Sequence, residues 1–192
     1  MARFGGDDIL GKFKLPPGPT RLLDVGGGHA MYSILMCEKY PELAATVLDS
    51  HQALETARQN IAAANMGQRI TLQEGDFLKA DYGSGYDAVF LFNIVHGLTP
   101  ALNKELLRKT AQALKPGGQV VIVEQLLGAV STPIGKASTR LLGLAYFHLI
   151  EGKTYTYEDL QGWLRDTGYG KPQKHGLLKA PGNYVIVTER MD

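Results

Sequence analysis

An open α/β sheet with helices on both faces is the fold class this sequence predicts, and three observations carry it. Short apolar runs alternate along the chain with segments whose apolar residues recur at helical spacing. Two of those runs, 88–92 and 120–123, are apolar at every position, as strands covered on both faces require. Acidic, amide or glycine residues stand at the ends of successive runs, where ligands sit in sheets of this kind.

Each element has its own signal along the chain. Residues 1–20 are rich in Gly and Asp and close on Leu15-Pro16-Pro17-Gly18-Pro19, which predicts a flexible lead-in that stiffens into a linker before a domain over 21–192. Residues 21–25 form a first strand. A helix over 30–39 stops before Pro41, because the residue preceding a proline is pushed out of the helical region. A second strand over 44–48 ends at Asp49. An Ala-, Gln- and Glu-rich helix over 51–66 stops at Gly67, and a third strand spans 70–73. After the strand at 88–92, Leu107, Ala111 and Leu114 keep helical spacing up to the stop Lys115-Pro116-Gly117-Gly118, and the strand at 120–123 ends at Glu124. The crowded apolar residues of 134–150 read as core packing or as one wall of an apolar pocket. Thr156 with Glu158-Asp159 starts a helix that Gly168 ends, and strand-like pieces near 175–178 and 183–188 around Lys179-Ala180-Pro181-Gly182 predict a terminal hairpin.

Composition narrows the function classes. A chain of 192 residues, 44% apolar and 20% charged, suits one soluble domain. A net charge of +1 without basic runs argues against nucleic acid as a partner. No apolar run approaches the length of a membrane span and no secretory leader is visible, so the cytoplasm is the expected compartment and no membrane the expected surface. The lone Cys37, set among Ile34, Leu35 and Met36, reads as a buried thiol. His29, His51, His148 and His175 have no metal-ligand spacing, so no metal is expected.

The chemistry-bearing residues cluster at strand ends. The first strand runs into Asp24 and then Gly26, Gly27 and Gly28, a loop that lets backbone approach a ligand closely. It lacks the Lys-Ser or Lys-Thr ending of a phosphate-binding loop, and Met31 stands where a dinucleotide pattern needs its third glycine. A carboxylate at this strand end suits a positively charged cofactor better than a pyrophosphate. Asp49, with Ser50 beside it, is placed to accept from ribose hydroxyls. Asp76 suits an exocyclic amine and Phe77 the flat face of an adenine; a capped turn with a buried aromatic is the competing reading. Asn93 joins this set at the fourth strand end. His96, just beyond, is a candidate general base and Glu124 a candidate partner that orients it, against a structural histidine and a solvated strand end.

These stretches resemble the class I S-adenosylmethionine-dependent methyltransferases, and more narrowly the small-molecule O-methyltransferases of the plant caffeate type and their bacterial relatives. The resemblance is carried by Leu22-Leu23-Asp24-Val25-Gly26-Gly27-Gly28, Tyr40-Pro41, Leu48-Asp49, Gly75-Asp76-Phe77, Asn93-Ile94-Val95-His96, Leu114-Lys115-Pro116-Gly117-Gly118 and Val121-Ile122-Val123-Glu124, and later by Tyr155-Thr156-Tyr157-Glu158-Asp159-Leu160 and Ala180-Pro181-Gly182. It implies a Rossmann-like, doubly wound, seven-stranded, mostly parallel sheet whose last strand is antiparallel. It also implies that the glycine loop holds the methionine part of S-adenosyl-L-methionine, Asp49 its ribose, and Asp76 with Phe77 its adenine. His96 falls at the position of the family's general base and Glu124 at that of one flanking acid. The implied reaction moves the sulfonium methyl to a hydroxyl of a small aromatic acceptor; N- or C-methylation, or a cofactor-binding domain without turnover of its own, are the alternatives.

The chain departs from the family pattern at named positions. Ala30 takes the last place of the glycine pattern, Gly97-Leu98 replaces the Asp-Trp common after the histidine, Phe92 replaces a basic residue, and the second flanking acid falls on Thr154. Only about 20 residues precede the first strand, where family members carry a helical region that supplies dimer contacts and closes the acceptor pocket. The expected partners are a small-molecule methyl acceptor and such a helical region or a second copy.

Overall fold

The computed structural model describes residues 2–128 and 152–192, together with residues 137, 141, 143 and 144. Its centre is set by strands whose neighbours along the chain point to opposite faces. In β1 (Thr20–Val25), Leu22 joins the core on one side of the sheet and Leu23 and Val25 the core on the other. Ala88, Phe90 and Phe92 of β4 (Tyr86–Phe92) point to the first side, Val89 and Leu91 to the second. Val121 and Val123 alternate in the same way with Val120 and Ile122 in β5 (Leu114–Gln125). Continuous apolar runs are therefore two interleaved faces, and both are buried.

The sheet is completed by β2 (Leu43–Asp49), β3 (Ile70–Glu74), β6 (Gln173–Gly176) and β7 (Asn183–Glu189), in the order β3-β2-β1-β4-β5-β7-β6. β1 to β5 are parallel, and β7 is antiparallel to both β5 and β6. The sheet is thus the mostly parallel, seven-stranded arrangement with a reversed last strand. Helices α1 (Ala2–Leu10), α2 (Met31–Lys39) and α3 (His51–Ala63) contribute to the first core, and α4 (Pro100–Ala113) and α5 (Tyr157–Asp166) to the second. On the first side, Phe90 stacks on Phe92 at 4.6 Å between ring centres, while Phe13 and Tyr32 meet this pair edge-on.

Local chemistry sets the helix ends. Ser50 and Thr99 cap α3 and α4 by accepting from Ala53 and Leu102 backbone N–H groups, and Pro100 begins α4 where a missing N–H costs nothing. Thr156 and Asp159 form a reciprocal capping box at the start of α5, and Gly168 takes a left-handed φ of 91° after its end. Asn65, at φ 56°, turns the chain after α3 ahead of Gly67. The Lys115-Pro116-Gly117-Gly118 turn lies inside β5, as a register shift opposite Tyr86 and Ala88. Cys37 is buried, its thiol donates to the Leu43 carbonyl at 3.6 Å, and burial pushes its pKa up to about 11.

The flexible lead-in expected over 1–20 is corrected by the structure. Residues 2–10 form α1, and Ile9, Leu10, Phe13 and Leu15 are buried in the first core. Gly6 has no side chain, so Leu35 of α2 approaches to 2.5 Å of where its Cβ would be. The Asp8 carboxylate accepts from the Leu178 and Lys179 N–H groups, at 2.8 and 3.1 Å, and ties α1 to the β6–β7 connection. The terminal hairpin forms with β6 two residues earlier than expected, because Leu177 leaves the strand to enter the core. The apolar stretch 134–150 lies outside the described residues except at 137, 141, 143 and 144, of which Leu141 and Leu144 are exposed. Among the described residues no helix is long and apolar enough to cross a membrane.

Candidate active site at the carboxyl edge of the sheet

Because β1 to β5 run in parallel, their carboxyl ends share one edge, and the sheet order sets the sequence of groups along it. From β3 to β5 these are Asp76, Asp49, the 24–28 loop, Asn93 with His96, and Glu124. The edge is stitched by main-chain bonds from Gly75 N–H to Asp49 O, Gly26 N–H to Leu48 O and Asn93 N–H to Val123 O, at 3.0, 2.7 and 2.9 Å.

The glycine loop is shaped by the side chains beneath it. Gly26 and Gly28 adopt left-handed φ of 66° and 45°. At Gly27 a Cβ would sit 2.6 Å from the Asp24 carboxyl carbon and 2.8 Å from Val47; at Gly26 it would sit 2.7 Å from Ile94. Only glycine fits there, and the loop rests on Asp24 from one side and on the His96 segment from the other. Asp24 is buried, and its carboxylate accepts from Ser33 Oγ at 2.7 Å. Burial raises its pKa to about 7 against the lowering by Ser33, with the nearby Asp49 charge pushing the same way as burial. Asp24 therefore supports the loop from below, while the half-buried glycines form its surface.

Asp49 closes the loop on its other flank, with one oxygen accepting from Gly28 N–H at 2.9 Å and the other from Ser50 N–H at 2.7 Å. Ser50 itself caps α3. Asp76 accepts from Leu78 N–H at 2.9 Å in a turn that exposes about half of its side chain. Phe77 packs against the second core. Ala30 sits at φ 59° with its methyl buried, a left-handed conformation that strains any residue with a Cβ.

Beyond β4 the chemistry changes character. Asn93 turns left-handed at φ 56°, buried Ile94 and Val95 anchor the chain, and His96 is presented on a single 3₁₀ turn, Val95–Gly97. Its Nδ1 lies 2.9 and 3.1 Å from the two oxygens of Glu124, which is 1% exposed and also accepts from the His96 and Gln125 N–H groups at 3.2 and 3.0 Å. A carboxylate can only accept, so in the neutral imidazole the proton sits on Nδ1 and the basic lone pair on Nε2. Lys153 N–H donates to the His96 carbonyl at 2.8 Å, bringing the 152–155 segment against the turn. The Leu98 carbonyl accepts from Tyr155 Oη at 2.6 Å.

A cavity of about 500 Å³ opens beside this edge, lined by Ile9, His29, Tyr32, Asn93, Val123 and Asn183, among others. Sequence reasoning placed Asn93 here but missed His29, whose Nδ1 accepts from Met31 N–H at 3.1 Å. It also missed Asn103 of α4, a polar residue in the apolar row Leu106, Leu107; that break in the row was its signal in the sequence.

The strand order, the reversed β7, the glycine loop after β1 and the acids after β2 and β3 define the class I S-adenosylmethionine-dependent methyltransferase fold. Residues 2–170 match the O-methyltransferase domain family, and the chain belongs to it. It is 34% identical over 169 residues to the 3-hydroxy-5-methyl-1-naphthoate 3-O-methyltransferase of Streptomyces sahachiroi, covering 88% of this chain and 48% of that protein. It is also 35% identical over 109 residues to the L-tyrosine C(3)-methyltransferase of Streptomyces lavendulae, covering 57% of this chain and 30% of that protein. Among solved structures, the apo form of the S-adenosylmethionine-dependent methyltransferase SibL superposes with a TM-score of 0.83 at 26% identity, covering 100% of this chain and 56% of that one. The chain spans about half the length of the naphthoate methyltransferase.

Proposed function

We propose that this chain carries the S-adenosyl-L-methionine site and the general base of an O-methyltransferase acting on a hydroxyl of a small aromatic molecule. The observation that carries the reading is the His96–Glu124 pair at the end of β4, beside a glycine loop whose Gly26 leaves no room for a side chain against Ile94. The loop fits the cofactor because Gly26 and Gly28 hold a left-handed backbone that glycine adopts without strain, and Gly27 lets the chain lie close on Asp24 and Val47, so that main chain forms the surface a ligand meets. Gly26, Gly27 and Gly28 would hold the amino-acid part, with Asp24 bracing them; Asp49 and Ser50 would face the ribose, Asp76 and Phe77 the adenine, and Asn93 the end nearest His96. When bound, the cofactor supplies a methyl group on a positively charged sulfur.

His96 takes the acceptor's hydroxyl proton at Nε2, which raises the nucleophilicity of the oxygen it leaves. Glu124 holds Nδ1–H and stabilises the imidazolium while the proton resides there; its burial makes that contact stronger than it would be in water. Ile9, Tyr32 and Val123 give the cavity apolar surface for a ring.

His96→Ala tests the assignment, with hydroxyaryl acceptors including 3-hydroxy-5-methyl-1-naphthoate. Turnover should fall roughly 10²- to 10⁴-fold while affinity for S-adenosylhomocysteine, measured by calorimetry, stays within about threefold. Unchanged turnover would remove His96 from the mechanism. C-methylation is a second reading, favoured by the identity to the tyrosine C(3)-methyltransferase; the site of the new methyl group in the product separates the two.

A further inference from the structure

We propose that Asn103 is a positioning residue for His96, clamping the 3₁₀ turn that presents the imidazole to its buried carboxylate; the proposal rests on His96 being the base. Asn103 is 1% exposed on the inner face of α4, three and four residues before the buried Leu106 and Leu107. Its Nδ2 donates to the Val95 carbonyl at 3.0 Å and the Leu98 carbonyl at 3.3 Å, one on each side of His96-Gly97. A single 3₁₀ turn has little hydrogen bonding of its own to fix its shape. Here the turn is held internally by Gly97 N–H to Ile94 O and Leu98 N–H to Val95 O, the latter at 3.3 Å. The amide of Asn103 therefore joins the two ends of the segment from below.

The two halves of the amide are used unequally. Among the described residues Asn103 Oδ1 is buried with no hydrogen-bond partner. An acceptor left this way forfeits its hydration for nothing, and at a core position an apolar residue of the same shape avoids that penalty. The two bonds made by Nδ2 are what the residue gives in return, and both end on the segment that carries His96. The contact matters for chemistry because the His96–Glu124 bond depends on where the turn sits, and displacement of a base by about 1 Å is costly to a reaction.

Asn103→Leu removes both donors while keeping the side-chain shape. The folded variant should be as stable as wild type or more stable to denaturant. Amide hydrogen exchange at Gly97 and Leu98 should accelerate about tenfold or more, with Val89 and Leu91 unchanged. The Nδ1 proton signal of His96 should broaden or vanish as the Glu124 contact loosens. Turnover should fall about tenfold or more with KM for S-adenosyl-L-methionine unaltered. Exchange at Gly97 and Leu98 indistinguishable from wild type would overturn the proposal, as would failure of Asn103→Leu to fold, which would make the amide a requirement of the whole core. A second measurement needs no substitution: scalar couplings across the hydrogen bonds from Asn103 Nδ2 to the Val95 and Leu98 carbonyl carbons should be detectable, and their absence overturns it. If His96 is not the base, Asn103→Leu still loosens the turn but leaves turnover intact, so the two readings fail separately.

Discussion

The two halves of the carboxyl edge are built on different principles. On the β1 to β3 side, shape comes from main chain: left-handed glycines, N–H groups donated to Asp49, and an Asp76 turn open to solvent. On the β4 to β5 side, shape comes from side chains: Glu124, Asn103 and Tyr155 hold His96-Gly97-Leu98 from several directions. The contrast is sharpest in the two buried carboxyls. Asp24 accepts from the Ser33 hydroxyl, and burial drives it toward the protonated form, whereas Glu124 accepts from an imidazole and two backbone N–H groups. Holding a ligand needs surface that backbone can approach; holding a base needs a fixed partner, and only the second requires a well-solvated charge to be replaced by protein donors.

Substitutions can separate the halves. The largest effect is expected from Gly27→Ala, whose Cβ meets both Asp24 and Val47: a loss of roughly 3 kcal/mol of stability and a tenfold or greater loss of S-adenosylhomocysteine affinity, by denaturant melts and calorimetry. The Nδ1 signal of His96 should survive it, and disappearance of that signal would show the halves to be one unit.

Asp24→Asn probes the carboxyl beneath the loop. Because the folded pKa of Asp24 is raised from 3.8 to about 7, its protonated form favours folding. That stabilising preference is complete below pH 4 and is lost as pH rises to about 7. Relative to wild type, the Asn variant should therefore gain roughly 4 kcal/mol between pH 4 and pH 8 in paired denaturant titrations. A constant difference across that range would mean that Asp24 is ionised throughout. The smallest effect is Ala30→Gly, where relief of a left-handed alanine competes with loss of a buried methyl; a net gain of about 0.5 kcal/mol is expected, and a lower melting temperature would contradict it.

Much of this edge could be read from the sequence because its cues are local. Apolar runs that end in Asp24, Asp49, Asn93 and Glu124 announce both the strand and the polar turn at its exit. The Thr156 capping box and the glycine loop are equally local. The features that escaped depend on residues far apart. Gly5, Gly6, Asp7 and Asp8 read as a poor helix, yet α1 forms because Gly6 admits Leu35 and Asp8 binds N–H groups 170 and 171 residues away. Asp24 reads as a strand-end carboxylate suited to a positively charged cofactor, but its buried place beneath Gly27 is set by Ser33 and Val47. Asn103 reads as an interruption of a helix face until the carbonyls it binds are located.

The insertion of β7 between β5 and β6 has a consequence for the order in which the protein can be made. β1 to β5 can pair as the chain emerges, but β5 keeps an open edge until 183–189 arrive, and β6 has no neighbour before then. During synthesis the outer hydrogen-bonding groups of Val120 and Ile122, on the same side of β5 as those of Gly118 and Leu126, are exposed to any passing strand for the time needed to translate some 60 further residues. Self-association of nascent chains is therefore greatest late in translation, just before the sheet acquires its last strand.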